Sequence, residues 1–293
     1  MNDINEHYRS IWTWLQGVAF EQGYAMAGDV RTRYLRSGSD ELPGLLLIHG
    51  FGSHCDVWVK NLAAHGEQFN TYAIDLMGTG FSDKPEMDYH APVLARHMID
   101  FMDAVGLDKA SVVGTSMGSR VVARFAVDYP DRTSTLTLVS PAGLYFEKER
   151  AERILRTHIT ETDESTWGGA EKGIRAIIRE EEIFDDIIAA RRNVFRQPLI
   201  RERYKHFAVH HREETAHMSF CSEDEYRSIQ APTLIAKGVK DALTSTALPR
   251  KLKELIPNSE LVFFEGCIHA PYFEDSERFN TRHLEFLRKN VPA

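Results

Sequence analysis

Short apolar runs alternate with amphipathic helical patterns across residues 44–139, and few folds accommodate that order. The run 45–48 is apolar at every position, which is typical of a strand buried on both faces of a sheet. Further strands are predicted at 71–74, 110–113 and 135–139, with helical periodicity between them at 56–65, 91–105 and 116–129. This order predicts an α/β fold built on a mostly parallel, doubly wound sheet with crossover helices.

The residues before this region predict a helix and a hairpin. Alternating segments at 18–26 and 30–36 flank Ala27, Gly28 and Asp29, which is a hairpin signature. Residues 5–16 predict an amphipathic helix whose apolar positions are Tyr8, Ile11, Trp12 and Leu15. We expect this helix to pack on its own domain, and packing on a second subunit in a homodimer stays open.

The pattern changes at Gly143 into a long, charged stretch with helical texture. Candidate helices occupy 148–159, 169–184, 186–197 and 199–211, and strand signals resume with PTLIAK and LVFFEG, each followed by a helix. We therefore predict a core formed by residues 1–143 and 226–293, with a helical lid at 144–225. Such a lid would lie over the carboxyl edge of the sheet, where open α/β sheets bind ligands.

Composition excludes several classes of protein. Of the 293 residues, 43% are hydrophobic and 27% charged, which is typical of a soluble globular chain. The net charge of −8 and the mixture of both signs argue against a nucleic-acid partner. We expect a cytoplasmic protein with no membrane partner, because the first 20 residues do not resemble a targeting signal and no window is apolar enough to span a bilayer.

The cysteines suggest neither a disulfide framework nor a zinc site. Cys55, Cys221 and Cys267 are odd in number and form no CxxC pair. Cys267 lies two residues before a candidate catalytic histidine, and the favoured interpretation is a small buried apolar residue.

The sequence GTSMG places Ser116 between two glycines, after a predicted strand and before a predicted helix. Gly114 and Gly118 lack the Cβ atoms that would collide in so tight a turn, so the turn can lift the serine above the sheet edge. Because such glycines are also ordinary turn residues, the motif alone is weak evidence for a nucleophile.

Two further candidates follow predicted strands. Asp241 comes after PTLIAKGVK, and His269 comes after LVFFEGCI. A serine nucleophile needs a base to take its proton and a carboxylate to orient and stabilise that base. It also needs amide donors for the developing oxyanion, and the loop HGFG after the first buried strand is a candidate for that role.

Taken together, these motifs resemble the α/β-hydrolase superfamily over nearly the whole chain. The matching segments, in order, are HGFG, DLMGTGFSDKP, GTSMGSRVV, a helical lid, PTLIAKGVKD and EGCIHAPYFED. The resemblance implies that Ser116 is the nucleophile, His269 the general base and then acid, and Asp241 the orienting carboxylate. It also implies that the backbone N–H groups of Phe51 and Met117 form the oxyanion hole, and it implies no cofactor.

Other candidate groups have structural interpretations. Asp75 and Asp83 are predicted to be turn and helix-start residues, and His49 is predicted to bond locally within its loop. His206, His210 and His211 include an i, i+4 pair, yet no third ligand is apparent, so no metal site is predicted. Haloalkane dehalogenases and epoxide hydrolases form an alkyl-enzyme ester, which needs an aspartate as the nucleophile. A serine at the centre of GTSMG therefore argues against both of these chemistries.

Spacing and lid length are similar to those of the meta-cleavage product hydrolases, which split a carbon–carbon bond in vinylogous diketones. In that family a lid arginine ahead of a proline meets the substrate carboxylate, which implies Arg191 or its neighbour Arg192 here. A solvated arginine is the alternative interpretation. This chain departs from the family pattern at Thr115 beside the nucleophile, at Ala270 after the histidine, and in the loop FGSHCD.

These departures favour a different small-molecule substrate. An ester, thioester or lactone needs only the triad, the oxyanion hole and an apolar acyl pocket. Candidate pocket residues are Phe51, Trp58, Met117, Leu144, Tyr145, Phe146, Trp167 and Tyr272. The C–C bond hydrolase is the alternative, and a small-molecule receptor that retains the triad without turnover is a third.

Overall fold

A computed structural model of the chain describes residues 10–155 and 165–291. It contains one eight-stranded sheet in the order β1-β2-β4-β3-β5-β6-β7-β8. The strands are β1 Phe20–Ala27, β2 Val30–Ser37, β3 Gly44–Ile48, β4 Asn70–Ile74, β5 Ala110–Thr115, β6 Thr133–Val139, β7 Thr233–Gly238 and β8 Ser259–Phe264. Strand β2 is antiparallel to both of its neighbours, and β3 to β8 are parallel to one another. The predicted mostly parallel sheet is confirmed.

Helices cover both faces of this sheet. They are α1 Val59–Gly66, α2 Ala91–Ala104, α3 Met117–Asp128, α4 Lys148–Leu155, α5 Trp167–Arg175, α6 Asp185–Phe195, α7 Ile200–Tyr204, α8 Glu213–Ala216, α9 Glu223–Ser228, α10 Ala247–Leu255, α11 Pro271–Glu274 and α12 Ser276–Asn290. Strand β3 shows why the predicted apolar run has no alternation. Leu46 and Ile48 join one apolar cluster, with α2 and α3, whereas Leu45 and Leu47 join another, with α1 and α12.

The hairpin forms as predicted, with Ala27 paired to Val30 across a two-residue turn. Gly28 in that turn has a φ of +59°, which glycine adopts without a Cβ penalty. The helix predicted for 5–16 is different. The structure has a 3₁₀ helix at Ile11–Leu15, and residues 5–9 of the predicted helix lie outside the described range. Ser10 caps this short helix through its side chain.

The 3₁₀ helix packs on its own chain, as expected. The ring of Trp14 lies 5.2 Å from that of Phe184, just before α6, and the amide of Ile11 donates to Asp186 in α6. Trp12, predicted to be an apolar contact, is instead 59% exposed, whereas Leu15 is buried. A 3₁₀ helix has three residues per turn, so the side chains predicted to share one α-helical face separate.

The residues between β6 and β7 form what we call the inserted segment, residues 144–225, and its described part is helical. The helix predicted at 169–184 ends earlier, at Arg175, because the backbone groups of Ile177 and Arg179 bond to the loop after β8 instead of continuing the helix. The helix predicted at 199–211 changes to 3₁₀ after Tyr204. That the segment acts as a lid domain stays a prediction. Within the described ranges, no helix is long and apolar enough to cross a membrane.

Candidate active site

Ser116 occupies a sharp turn between β5 and α3. Its backbone has a φ of +53°, a conformation that costs a non-glycine residue free energy and persists only where the surroundings enforce it. A Cβ on Gly114 would lie 2.2 Å from the carbonyl oxygen of Gly118, and a Cβ on Gly118 would lie 2.4 Å from that of His49. The two glycines are therefore required by close backbone approach, which is the steric reason predicted from the motif.

Asp241 and His269 meet beyond the ends of β7 and β8. The Nδ1 atom of His269 lies 2.8 Å from Oδ2 of Asp241, and both side chains are buried. The other carboxylate oxygen of Asp241 accepts from the amides of Leu243, at 2.8 Å, and Thr244, at 3.3 Å. Burial opposes ionisation of Asp241, but the hydrogen bond from His269 and the nearby Lys237 ammonium outweigh it and hold the pKa well below its usual value.

The loop that carries His269 is fixed from both sides. The carboxylate of Glu274 accepts from the amides of Ile268, at 3.0 Å, and Ala270, at 2.8 Å. The amide of His269 itself donates to the carbonyl of Ile177 in the inserted segment, at 3.3 Å. Burial raises the pKa of Glu274, while these amide bonds favour its charged form. The histidine backbone is thus held by the core and by the inserted segment together.

Ser116 and His269 line one cavity, which opens to solvent. Phe51, Met117 and Tyr272 also line it. Among the described residues, no hydrogen bond joins the Ser116 hydroxyl to His269, and such bonds often tighten only when substrate binds. The three residues predicted to form a triad are therefore brought to one site, with the Asp–His contact formed.

The two residues predicted to supply oxyanion donors flank the same cavity. Met117 begins α3, so its amide lies at a helix N-terminus, where N–H groups lack intrahelical acceptors. Phe51 lies in the loop after β3, which His49 fastens through a 2.7 Å contact to the carbonyl of Gly50 and a 2.9 Å contact to Thr79. The predicted local bonding of His49 is confirmed.

The acidic residues of the DLMGTGFSD segment have structural partners. Asp75 accepts from the amides of Cys55 and Phe81, each at 2.7 Å, and it contacts Arg33 at 3.4 Å. Asp83 accepts from the amide of Arg31 at 3.0 Å. The bonds of Asp75 agree with the predicted turn role. Asp83 starts no helix, since α2 begins at Ala91, and it bonds instead to the hairpin strand β2.

The predicted substrate residues divide into two groups. Arg191 is buried and lines the cavity, where its Nη1 donates to the carbonyl of Gly52 at 2.8 Å, and Tyr272 lines the cavity as well. Arg192, on the same helix, is not among the lining residues.

Three other predicted substrate residues do not reach the cavity. Trp58 is fully buried and packs on Tyr272 at a ring distance of 4.1 Å, and Leu144 is part of the apolar core. Trp167 begins α5 and is 42% exposed. These positions correct the prediction, because apolar side chains of this size fill the core or remain at the surface according to packing that one sequence does not display.

The histidines and cysteines have local roles. His206 contacts Asp88 at 2.9 Å, His210 contacts the carbonyl of Tyr89 at 2.7 Å, and His211 lines the cavity. In the part of the chain that the structure describes, no three side chains of metal-ligating type cluster. The three cysteines are free and buried, and burial raises the pKa of the Cys267 thiol to about 12.

Three charged residues near the site were not predicted. Arg120 lines the cavity and donates through Nε to the carbonyl of Ala142 at 2.7 Å. Lys237 is fully buried beside Asp241, and Glu274 holds the histidine loop. Lys237 carries a signal in the sequence, since it interrupts an apolar strand four residues before Asp241, whereas Glu274 stands in an acidic stretch and carries none.

Comparison with known proteins agrees with this architecture. A sequence model of the alpha/beta hydrolase fold matches residues 43–169. The structure of 2-hydroxy-6-oxo-6-phenylhexa-2,4-dienoate hydrolase from Rhodococcus sp. strain RHA1 superposes with a TM-score of 0.82 at 20% identity, covering 92% of this chain and 99% of that one. The chain has the α/β-hydrolase fold.

Two curated relatives match this chain along most of its length. The 2-hydroxy-6-oxo-6-(2'-aminophenyl)hexa-2,4-dienoic acid hydrolase of Metapseudomonas resinovorans is 26% identical over 278 residues, which is 93% of each chain. Carboxylesterase YbfK of Bacillus subtilis is 25% identical over 281 residues, covering 95% of this chain and 90% of its own. The relatives therefore include both C–C bond and ester hydrolases.

Proposed function

We propose that this protein is a serine hydrolase that cleaves a small, largely apolar ester, thioester or lactone through Ser116. The observation that carries the proposal is the position of Ser116 on a strained turn, lining the same cavity as a His269 already bonded to a buried Asp241. A serine hydroxyl needs both exposure toward substrate and an oriented base, and this site supplies the two together.

The proposed reaction proceeds in two steps. His269 takes the hydroxyl proton of Ser116 through Nε2 as the oxygen attacks the substrate carbonyl, and the same proton then passes to the departing alcohol or thiol. Water repeats the attack on the acyl-enzyme, with His269 again as base, and releases the acid. The backbone N–H groups of Met117 and Phe51 would stabilise each oxyanion, and Asp241 would stabilise the imidazolium.

A second candidate is hydrolysis of a C–C bond in a vinylogous diketone acid, and one observation favours it. The buried guanidinium of Arg191 lines the cavity, and a Cβ on Gly173 would lie 2.8 Å from its Nε, so a glycine makes room for it there. A guanidinium can bind a substrate carboxylate through two parallel hydrogen bonds. Thr115 and Ala270 stand where that family has polar contacts, and we therefore keep the ester as the first proposal.

The test is turnover of a p-nitrophenyl short-chain ester by the Ser116→Ala variant. We expect a loss of at least ~10³-fold in kcat, as removal of a triad member typically gives. The exposed Ser39→Ala variant is the control and should retain full activity. Unchanged activity of Ser116→Ala, or tight ligand binding by the unsubstituted protein without any turnover, would contradict the proposal.

The same preparation distinguishes the two bond types. A yellow meta-cleavage dienoate loses its colour when its C–C bond is hydrolysed, so absorbance reports that reaction directly. Bleaching that depends on Ser116 would establish the second candidate, whereas ester turnover without bleaching would eliminate it.

A further inference from the structure

Lys237 lies inside the sheet, in β7, between Ala236 and Gly238. Its side chain has no exposure to solvent, and the strand around it is otherwise apolar. An ammonium group removed from water costs several kcal/mol unless charged and polar partners surround it. The partners of the Lys237 ammonium must therefore offset this cost.

Those partners belong to the candidate triad. The Nζ atom of Lys237 donates to Oδ2 of Asp241, to the hydroxyl of Thr244, and to the carbonyl of Thr244 at 3.0 Å. The Thr244 hydroxyl in turn donates to the same Oδ2 at 2.8 Å. That oxygen is also the one 2.8 Å from His269 Nδ1. A single carboxylate oxygen thus faces the ammonium, the threonine and the imidazole.

This sharing changes what the carboxylate can do for the histidine. In a serine triad the carboxylate orients the imidazole and stabilises the imidazolium that forms during the reaction. The ammonium of Lys237 is a fixed positive charge bonded to the same oxygen. It offsets part of the negative charge of the carboxylate, and it also repels a positive charge on the imidazole ring. The ammonium therefore keeps Asp241 ionised and in place while weakening its attraction for a protonated His269.

We propose that Lys237 is a positioning and charge-balancing residue of the triad, which keeps His269 available as a neutral base at lower pH than an unpaired Asp241 would allow. The inference rests on the proposed serine hydrolase function. It adds a residue to that site whose part in the reaction is exerted through Asp241, without contact with the substrate.

Other charged and titratable groups surround His269, and their arrangement leaves this role to Lys237. They are Cys267 in its own loop, Glu274 at the end of α11, Arg179, Arg191 and His211 in the inserted segment, and Arg120 in α3. Glu274 is directed to backbone amides and Arg179 to Glu274, whereas Arg191 and Arg120 donate to backbone carbonyls. Lys237 bonds to the carboxylate oxygen that the imidazole uses.

The test compares pH profiles of kcat/KM for ester hydrolysis in the variants Lys237→Met and Lys237→Gln. Removing the ammonium makes protonation of His269 easier, so the acid limb of both profiles should move to higher pH by about one unit. Lys60→Met is the matched control. Lys60 is also buried and ion-paired, at 2.8 Å from Glu182, but it is bonded to neither Asp241 nor His269, and its acid limb should coincide with that of the unsubstituted protein.

Two results would overturn the inference. One is an acid limb that does not move in folded Lys237→Met and Lys237→Gln. The other is loss of folding in both variants while Lys60→Met folds, which would show that the ion pair serves structure alone. Failure of the serine mechanism is separate, since it would appear as unchanged turnover in Ser116→Ala.

Discussion

At the scale of single residues, the sharp turn that carries Ser116 depends on neighbouring glycines, which have no Cβ atom. The space beside Gly118 is filled by the carbonyl oxygens of Ile48 and His49, which belong to β3 and the start of its following loop. The backbone of α3 can approach that strand only because no Cβ intervenes. This close approach of α3 to β3 places Ser116 and Phe51 beside the same cavity.

Gly118→Ala tests this contact. The added Cβ would lie 2.4 Å from the His49 oxygen, so strand and helix must separate. We expect unfolding free energy to fall by about 1–3 kcal/mol and esterase activity to be largely lost. Chemical denaturation and kinetics measure the two effects. Gly168→Ala is the control. A Cβ added to Gly168 would meet no atom within 4 Å apart from its chain neighbours and its own helix backbone, so stability and activity should stay nearly unchanged.

At the scale of elements, the inserted segment and the catalytic loop are joined by backbone bonds. His269 donates to Ile177, and the amide of Arg179 donates to Glu274 at 3.2 Å, just beyond the point where the helix predicted at 169–184 ends. The guanidinium of Arg179 also donates to the Glu274 carbonyl at 2.6 Å. Movement of these inserted residues would therefore be transmitted to the histidine.

Glu274→Gln tests that connection. A glutamine has one acceptor oxygen in place of two. When that oxygen faces the amides of Ile268 and Ala270, the NH2 group faces the amide of Arg179, and two donors oppose each other. We expect kcat to fall by up to about 10²-fold with little change in KM, because the histidine is misplaced while the substrate cavity is retained.

The matched control for this experiment is Glu182→Gln. Glu182 pairs with Lys60 at 2.8 Å and lies 3.8 Å from Arg179, yet it is not bonded to the histidine loop. Equal losses of kcat in the two variants would contradict a specific role for Glu274.

At the scale of the whole molecule, buried histidines link the layers of the fold. His65 in α1 and His283 in α12 lie 2.8 Å apart through their ring nitrogens, and His283 reaches Thr137 in β6 at 3.1 Å. Burial lowers the pKa of His65 to about 4 and that of His283 well below its usual value. His97, on the buried face of α2, has its pKa lowered to about 3 by burial.

These histidines predict a loss of stability on acidification. Below a pH of about 6.5 the unfolded chain binds protons that the folded chain does not, so each such histidine removes about 1.4 kcal/mol per pH unit until its folded pKa is reached. Urea midpoints should fall steadily from pH 6.5 to 5. His283→Gln should reduce this slope, and the exposed His217→Gln should not. A midpoint that is constant over this range would contradict the prediction.

The strand and helix order of the core could be predicted from the sequence because it depends on local periodicity and on glycines at tight turns. Strands β3 to β8, the hairpin and the sharp turn that carries Ser116 all belong to this class. The inserted segment was predicted as helical, yet its helix ends were not. The backbone groups of Ile177 and Arg179 bond to the histidine loop, and such long-range partners leave no periodic signal.

Ser116, Asp241 and His269 each follow a predicted strand. Because parallel strands end on the same side of a sheet, the sequence was sufficient to expect these three residues at one sheet edge. Only the tertiary structure placed Arg191 in the cavity while leaving Trp58, Leu144 and Trp167 outside it. Which side chain faces a cavity depends on how separate segments pack together. Packing also decides the role of Lys237: a charge in an apolar strand is visible in the sequence, but its bond to Asp241 is seen only in the tertiary structure.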